Sequence, residues 1–225
     1  MVSVFSILTV LVGALPLQAG GQGGWQVERV RPGVWMVYND NGTWGGPSMG
    51  TSHQNNPRYQ TRKTLNLAVL PEDLWAKVKS ARLRVFFAVQ DYSWALPEVP
   101  NNGMDESFEV VLNGHATRYP VAGGFGGRAS AGEKMKWQWQ DFPLPLDRLK
   151  RGDNEVIFRK VPPPGKTRTD DYIYVGIDNT AEHGTSAVSF DGGKTWSTDQ
   201  LNTIGARGEY MVRVVLITGD LHTQA

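Results

Sequence analysis

Residues 81–90 (ARLRVFFAVQ) and 106–112 (ESFEVVL) decide the fold of this chain. Both runs alternate apolar side chains with a period of two, which predicts β-strands that bury one face in a shared core. The alternating apolar residues are Leu83, Val85, Phe87, Val89, Phe108, Val110 and Leu112. The dipeptide Asn113-Gly114 ends the second run and predicts a tight hairpin turn, with residues 115–121 as the returning strand.

Short strand-like runs separated by turn-forming residues continue along the rest of the chain. The one helical signal is residues 71–78, where Pro71 is followed by acidic residues that suit a helix N-terminus. Many strands with one short helix predict an all-β fold, an antiparallel β-sandwich. The length of 225 residues fits one such domain at residues 25–220, with a tail at residues 221–225.

Residues 1–19 have the composition of a secretory signal peptide, with an apolar run, then Pro16 and a small residue at Ala19. No Lys or Arg precedes the run, so the terminal amine supplies the only positive charge there. The run is too short to span a bilayer comfortably, so we predict no membrane span. We expect a secreted protein, extracellular or periplasmic, whose mature N-terminus at residues 20–24 is flexible.

Composition excludes several partners. The formal net charge is +1 with dispersed basic residues, which predicts neither nucleic-acid binding nor a polybasic membrane patch. The chain has no cysteine, so it has no disulfide and no thiolate zinc site. It does have eight tryptophans, and indole rings outside a core suit partners with flat apolar faces, including sugar rings.

A carbohydrate site needs an aromatic plane beside groups that hydrogen-bond hydroxyls. The long segment between the two core strands is one source of such side chains, because loops of this length are usually functional. Spacing also puts Trp137 and Trp139 on one strand face, although burial of both in the sandwich core is an equal alternative. The candidate ligand-binding residues are Tyr92, Trp94, Asn101, Asn102, Arg128, Trp137 and Trp139.

Acidic residues at Asp170, Asp171 and Asp178 suggest a structural calcium, since calcium takes clustered carboxylate oxygens. No calcium-loop spacing is met, and solvated turn acids are the alternative. Otherwise we predict no cofactor. The histidines are scattered and no facing pair of carboxylates is evident, so no catalytic residue is assigned.

Residues 189–196 (SFDGGKTW) resemble the Asp-box of sialidases and other secreted β proteins. The matching residues are Ser189, Asp191, Gly193, Thr195 and Trp196. The resemblance implies a structural hairpin in which the Asp ties down its own turn and the Trp packs inward, away from any catalytic centre. A single copy in a chain of this length does not imply sialidase activity.

Residues 142–146 (FPLPL) and 149–156 (LKRGDNEV), with the strands around them, resemble the galactose-binding-like jelly rolls of carbohydrate-active proteins. The resemblance implies a fold and a carbohydrate partner rather than a particular activity. We therefore expect a secreted, non-catalytic carbohydrate-binding module. Two alternatives stay open: a small polysaccharide-active enzyme, lyase or glycoside hydrolase, with a groove across the sandwich, and a structural or adhesive surface module.

Overall fold

Strands dominate the structure. In the computed structural model, 50% of the residues lie in strands and 4% are helical, which confirms the predicted antiparallel β-sandwich with one helix. The described residues are 23–46, 50–53, 58–91, 104–122, 128–129, 134, 136–162, 164–165 and 169–219, with only the backbone described for 50–53 and 128–129. The predicted signal peptide and the predicted tail at residues 221–225 lie outside these ranges.

The strands are short, and the helix is a single turn. The first eight strands are β1 (Gln26–Arg31), β2 (Val34–Tyr38), β3 (Gly50–His53), β4 (Gln60–Asn66), β5 (Ser80–Asp91), β6 (Ser107–Leu112), β7 (His115–Pro120) and β8 (Arg128–Ala129). The others are β9 (Gln138–Leu144), β10 (Asp153–Val161), β11 (Asp171–Asp178), β12 (Ser186–Ser189), β13 (Glu209–Tyr210) and β14 (Val212–Ile217). Helix α1 (Glu72–Trp75) follows Pro71, and a 3-10 turn occupies Leu146–Arg148.

Strand β5 organises the larger sheet. Its residues 80–85 pair with β14 and its residues 87–91 pair with β11, while β9 pairs with residues 81–87. The order along the sheet is β1-β2-β14-β5-β11-β13, with β3 joined to β11 and β8 and β9 joined to β5. The described pairings are antiparallel except the one between β5 and β8.

The smaller sheet has the order β12-β4-β10-β6-β7. The predicted hairpin joins β6 to β7, where Leu112 pairs with His115 across the turn. Asn113 has φ 49° and Gly114 has φ 84°, the positive values that a two-residue turn of this type requires. Asparagine and glycine tolerate these angles best, so the sequence specifies this turn locally.

The core lies between the two sheets and is filled by the alternating residues of the predicted strands. Leu83, Val85 and Phe87 of β5 are fully buried, and so is Phe108 of β6. The Phe87 and Phe108 rings lie 5.6 Å apart, and Phe142 of β9 contacts both at 5.5 Å and 6.0 Å. The other sequence-predicted members of this core are Val110, Leu112, Val156, Phe158, Val212 and Val214.

No helix among the described residues combines the length and the apolar composition that crossing a bilayer requires.

Candidate functional site

The outer face of the larger sheet carries a cluster of aromatic rings. Because Val85 and Phe87 point into the core, Phe86 between them points outward. Trp139 is the register partner of Phe86 on β9, so it lies on the same outer face. We call the outer-face rings the aromatic face, and they are Trp44, Phe86, Trp137, Trp139 and Tyr174.

The rings of the aromatic face interlock. Phe86 lies 5.3 Å from Trp44, 5.5 Å from Trp137 and 5.5 Å from Trp139, measured between ring centroids. Trp44 and Trp137 lie 4.9 Å apart, and Trp137 meets Tyr174 edge to face at 5.9 Å. These separations are typical of favourable aromatic pairs, so each ring is held by its neighbours.

Gly176 on β11 makes room for Phe86. A Cβ atom at this position would lie 2.7 Å from Cδ1 of the Phe86 ring, closer than packed carbon atoms approach. The Phe86 ring therefore depends on a residue without a side chain beneath it.

Trp44 is held in place by the segment after β2. The backbone amides of Asn41 and Thr43 donate to Oδ2 of Asp178 at 2.6 Å and 3.1 Å. Oδ1 of Asp178 accepts from the backbone and hydroxyl of Thr180. Asp178 is thus a turn anchor for the segment that brings Trp44 to Phe86.

An arginine packs at one edge of the aromatic face. The Arg213 guanidinium lies 4.5 Å from the centroid of the Trp139 ring and 4.8 Å from that of Tyr38. Its Nε donates to Oδ2 of Asp40 at 2.9 Å, and its second nitrogen contacts Oδ1 of the same carboxylate. Stacking between two rings and a bidentate carboxylate fix the guanidinium plane.

A second bidentate ion pair lies next to Trp139. Asp141, two residues further along β9, accepts from Nε and NH2 of Arg84 at 2.7 Å and 2.9 Å. The hydrogen bond to Asp141 raises the pKa of Arg84. The aromatic face is therefore flanked by charged groups whose donors and acceptors are already oriented.

Exposure differs across the aromatic face. Trp139 is 36% exposed, the largest value for an aromatic ring on this face. Trp137 is half-buried, and its indole Nε1 is buried with no hydrogen-bond partner among the described residues. Trp139 thus offers a ring surface to solvent, while Trp137 packs against Phe86.

The structure brings together some of the predicted binding residues. Trp137 and Trp139 share the outer face and lie outside the core cluster. Arg128 is described only by its backbone, in β8 beside Val89 of β5. The other predicted binding residues lie outside the described residues, and they are Tyr92, Trp94, Asn101 and Asn102.

Sequence reasoning missed Trp44, Tyr174 and Arg213 as members or neighbours of the aromatic face. Two signals were available: Phe86 is a large apolar residue at an outward position of β5, and Arg213 interrupts an apolar strand. Neither signal identifies the facing strand, because strand pairing at long sequence separation is not encoded locally.

Of the predicted metal ligands, Asp170 and Asp171 lie together and Asp178 lies at the opposite end of β11. Two further carboxyls, those of Asp105 and Glu106, lie beside the first two. We call the four residues the acidic cluster: Asp105, Glu106, Asp170 and Asp171. One carboxylate oxygen each from Asp105, Glu106 and Asp170 lie within 4.8 Å of one another.

Glu106 connects the two sheets within the acidic cluster. Its carboxylate accepts from the backbone amides of Asp170 and Asp171 at 3.2 Å and 3.1 Å, and its own amide donates to Oδ2 of Asp171 at 2.9 Å. Nζ of Lys160 donates to Glu106 at 3.0 Å. Oδ2 of Asp170 and Oδ1 of Asp171 are buried and have no hydrogen-bond partner in the part of the chain that the structure describes.

Burial controls the ionisation of the acidic cluster. It raises the pKa of Asp171 to about 7 and also raises the pKa values of Glu106 and Asp170. Burial lowers the pKa of Lys160, because an ammonium group also loses its hydration there. Burial therefore favours the neutral form of these carboxyls unless a cation compensates them.

The hairpin at residues 189–196 is tied together by one carboxylate. Oδ1 of Asp191 accepts from the backbone amides of Lys194 and Thr195, both at 3.0 Å, and Oδ2 accepts from the Thr195 hydroxyl at 2.7 Å. Ser189 donates to Asp191 at 2.8 Å and accepts from the amide of Gly193 at 2.8 Å. The half-buried Trp196 ring lies under the Arg62 guanidinium at 4.4 Å.

Comparison with known proteins gives no family for this chain: no protein-family model matches it, and a search of curated proteins finds no significant match.

Proposed function

We propose that the chain is a secreted, non-catalytic module that binds carbohydrate on the aromatic face. The observation that carries this proposal is the exposed ring of Trp139, supported from behind by Phe86 and flanked by the oriented ion pairs of Arg213 and Arg84. Sugar recognition requires an apolar plane for the ring carbons and fixed polar groups for the hydroxyls. The aromatic face supplies both on rigid strands, which position a site better than loops do.

A galactose-binding-like jelly roll is the finer fold that we propose for the two-sheet sandwich, on the sequence resemblance of residues 142–156. We likewise propose that the hairpin at residues 189–196 is an Asp-box with a structural role. Its carboxylate hydrogen bonds are local, which supports a role in holding the turn rather than in binding a ligand. Export is supported by the apolar composition of residues 1–19, and the N-terminal sequence of protein recovered outside the cytoplasm tests it.

The binding proposal is tested by retention of purified mature protein in native gels that contain a panel of soluble polysaccharides. Trp139→Ala is expected to weaken retention on the bound polysaccharide about tenfold, equivalent to about 1.4 kcal/mol, as for an aromatic residue at a binding hot spot. The matched control is Phe190→Ala, since Phe190 is 37% exposed and Trp139 is 36% exposed. Equal retention of Trp139→Ala and the wild type on every retained polysaccharide contradicts the proposal.

A polysaccharide-active enzyme is the second candidate, and the acidic cluster is the observation that favours it. Carboxyls with raised pKa values are typical of general acids. The cluster, however, faces the space between the sheets, and Glu106 and Asp171 are bound to each other's backbone amides. We expect incubation with the polysaccharide panel to yield no new reducing ends and no unsaturated uronic acids. New ends that Glu106→Gln abolishes, with retention intact, would establish an enzyme instead.

A further inference from the structure

Buried negative charge accumulates between the two sheets at one end of the sandwich. Glu106 lies on the inner face of the smaller sheet, two residues before the core residue Phe108. Asp171 lies on the inner face of the larger sheet, in the same alternation as Ile173. Asp170 adjoins it and is 1% exposed. Buried carboxyls of the described residues therefore gather at this end of the sandwich.

Within the described part of the chain, the charge of these groups is not balanced. Glu106, Asp170 and Asp171 are all buried, and Lys160 is the cation that the described residues place in contact with them. Three carboxylates and one ammonium leave two negative charges. Burial of uncompensated charge is strongly unfavourable, so the site requires either protons or a bound cation.

Two buried oxygens also lack donors among the described residues. Oδ2 of Asp170 and Oδ1 of Asp171 accept no hydrogen bond from them, although both aspartates are almost completely buried. Another buried ionic group differs in this respect. Glu209 pairs with Lys63 at 2.6 Å, and its oxygens also accept from the amides of His183 and Thr185. Among the described residues, the buried carboxylate oxygens without donors are therefore those of the acidic cluster, and they are the kind of atom that coordinates a cation.

The spacing of the oxygens suits a calcium ion. Calcium binds oxygen at about 2.3–2.6 Å, so ligands on opposite sides of the ion are about 5 Å apart. The oxygens of Asp105, Glu106 and Asp170 lie within 4.8 Å of one another. Asp105 is exposed, which gives an ion a route of entry and room for water ligands.

We propose that the acidic cluster is a binding site for one hard divalent cation, calcium foremost, coordinated by Asp105, Glu106, Asp170 and Asp171. A divalent ion neutralises the two excess charges of the buried Glu106, Asp170 and Asp171, and it satisfies the buried oxygens that have no donor among the described residues. Asp178 is not a ligand of this site, because it lies at the other end of β11 and its oxygens accept amide and hydroxyl protons. Lys160 remains as the partner of Glu106, and the ion joins the two sheets at this end.

The test uses purified mature protein treated with a chelator and desalted at pH 7.5. Titration calorimetry with CaCl2 is expected to show one ion bound per chain. At a free calcium concentration one hundred times the dissociation constant, the melting temperature is expected to rise by about 5–10 °C. Asp170→Asn, which keeps the side-chain shape, is expected to lose both the binding heat and the rise in melting temperature.

Two further variants make the result specific. Asp105→Asn changes an exposed residue, so it is expected to fold, which circular dichroism checks, and to weaken calcium binding by at least tenfold. Asp73→Asn, an exposed carboxyl on α1, is the matched control and should bind calcium as the wild type does. Trp139→Ala should also keep calcium binding, which separates this site from the sugar site. Absence of calcium and magnesium binding in the wild type, or undiminished calcium binding in both cluster variants, overturns the proposal.

Discussion

The pKa of Asp171 predicts that the cation-free protein loses stability as the pH rises from 5 to 8. Burial raises this pKa to about 7, whereas the ordinary value, expected in the unfolded chain, is 3.8. At a pH between these two pKa values, the folded state holds a proton on Asp171 that the unfolded state has released. Stability therefore falls with rising pH: the contribution of neutral Asp171 is complete below pH 3.8 and is lost as the pH passes through 7.

The size of the effect follows from the difference between the two values. About three pKa units at 1.36 kcal/mol each give a loss of about 4 kcal/mol in the free energy of unfolding. Glu106 and Asp170, whose pKa values burial also raises, act in the same direction. The contribution of Glu109 to the pH dependence of stability has the opposite sign, because hydrogen bonds from Arg159 and Arg118 outweigh burial and lower its pKa. Its contribution is lost only as the pH falls below about 4.5, outside the window.

Urea unfolding at pH 5 and pH 8, with a chelator present, measures about 2.7 kcal/mol of this loss, because only about two of the three pKa units lie between pH 5 and the folded value. For a urea dependence of about 2 kcal/mol/M, the midpoint should fall by about 1.3 M at the higher pH. Asp171→Asn removes the titrating carboxyl and should remove most of the difference between the two midpoints. Asp73→Asn should leave that difference unchanged. A wild-type midpoint that is equal or higher at pH 8 refutes the reasoning. Added calcium should reduce the loss at pH 8, because the proposed ion competes with the proton for the same carboxylates.

Two other substitutions test the geometry around the proposed sites. Gly176→Ala should displace the Phe86 ring, lower stability by about 1–3 kcal/mol and weaken polysaccharide retention, as measured by urea unfolding and native gels. Gly152→Ala, where an added Cβ meets nothing within 4 Å, is its control, and equal behaviour of the two variants contradicts the role of Gly176. Asp191→Ala should lower the melting temperature by removing the hydrogen bonds of the hairpin, with retention unchanged. Lost retention at an unchanged melting temperature would instead make the hairpin a binding element.

The sequence predicted those elements whose determinants are local. Alternation in residues 81–90 identified both faces of β5, including the outward position of Phe86. Asn113-Gly114 specified the turn between β6 and β7, because few other residues adopt its backbone angles. The sheet partners of these strands are determined by contacts between residues far apart in the chain, so local patterns do not identify them.

The position of Trp137 and Trp139 shows where local information ends. Their spacing predicts a shared face of β9 but does not say whether that face points to the core or to solvent. The register of β9 against β5 decides the matter, because it pairs Trp139 with the outward Phe86 and Gln138 with the inward Phe87. The next inward residues of β9 are then Gln140 and Phe142, and the second of these enters the core.

Strand β11 separates the two proposed sites. The predicted calcium ligands Asp171 and Asp178 are an odd number of residues apart on one strand, and a period of two places such residues on opposite faces. The sequence alone therefore disfavoured that pairing. The partner of Asp171 is Glu106 in the other sheet, and only the packing of the two sheets brings these residues together. The same alternation turns Tyr174 toward Trp137 on the outer face, so Asp171 and Tyr174 lie on opposite faces of β11. A cation between the sheets does not contact a sugar on the aromatic face, and loss of one kind of binding should leave the other in place.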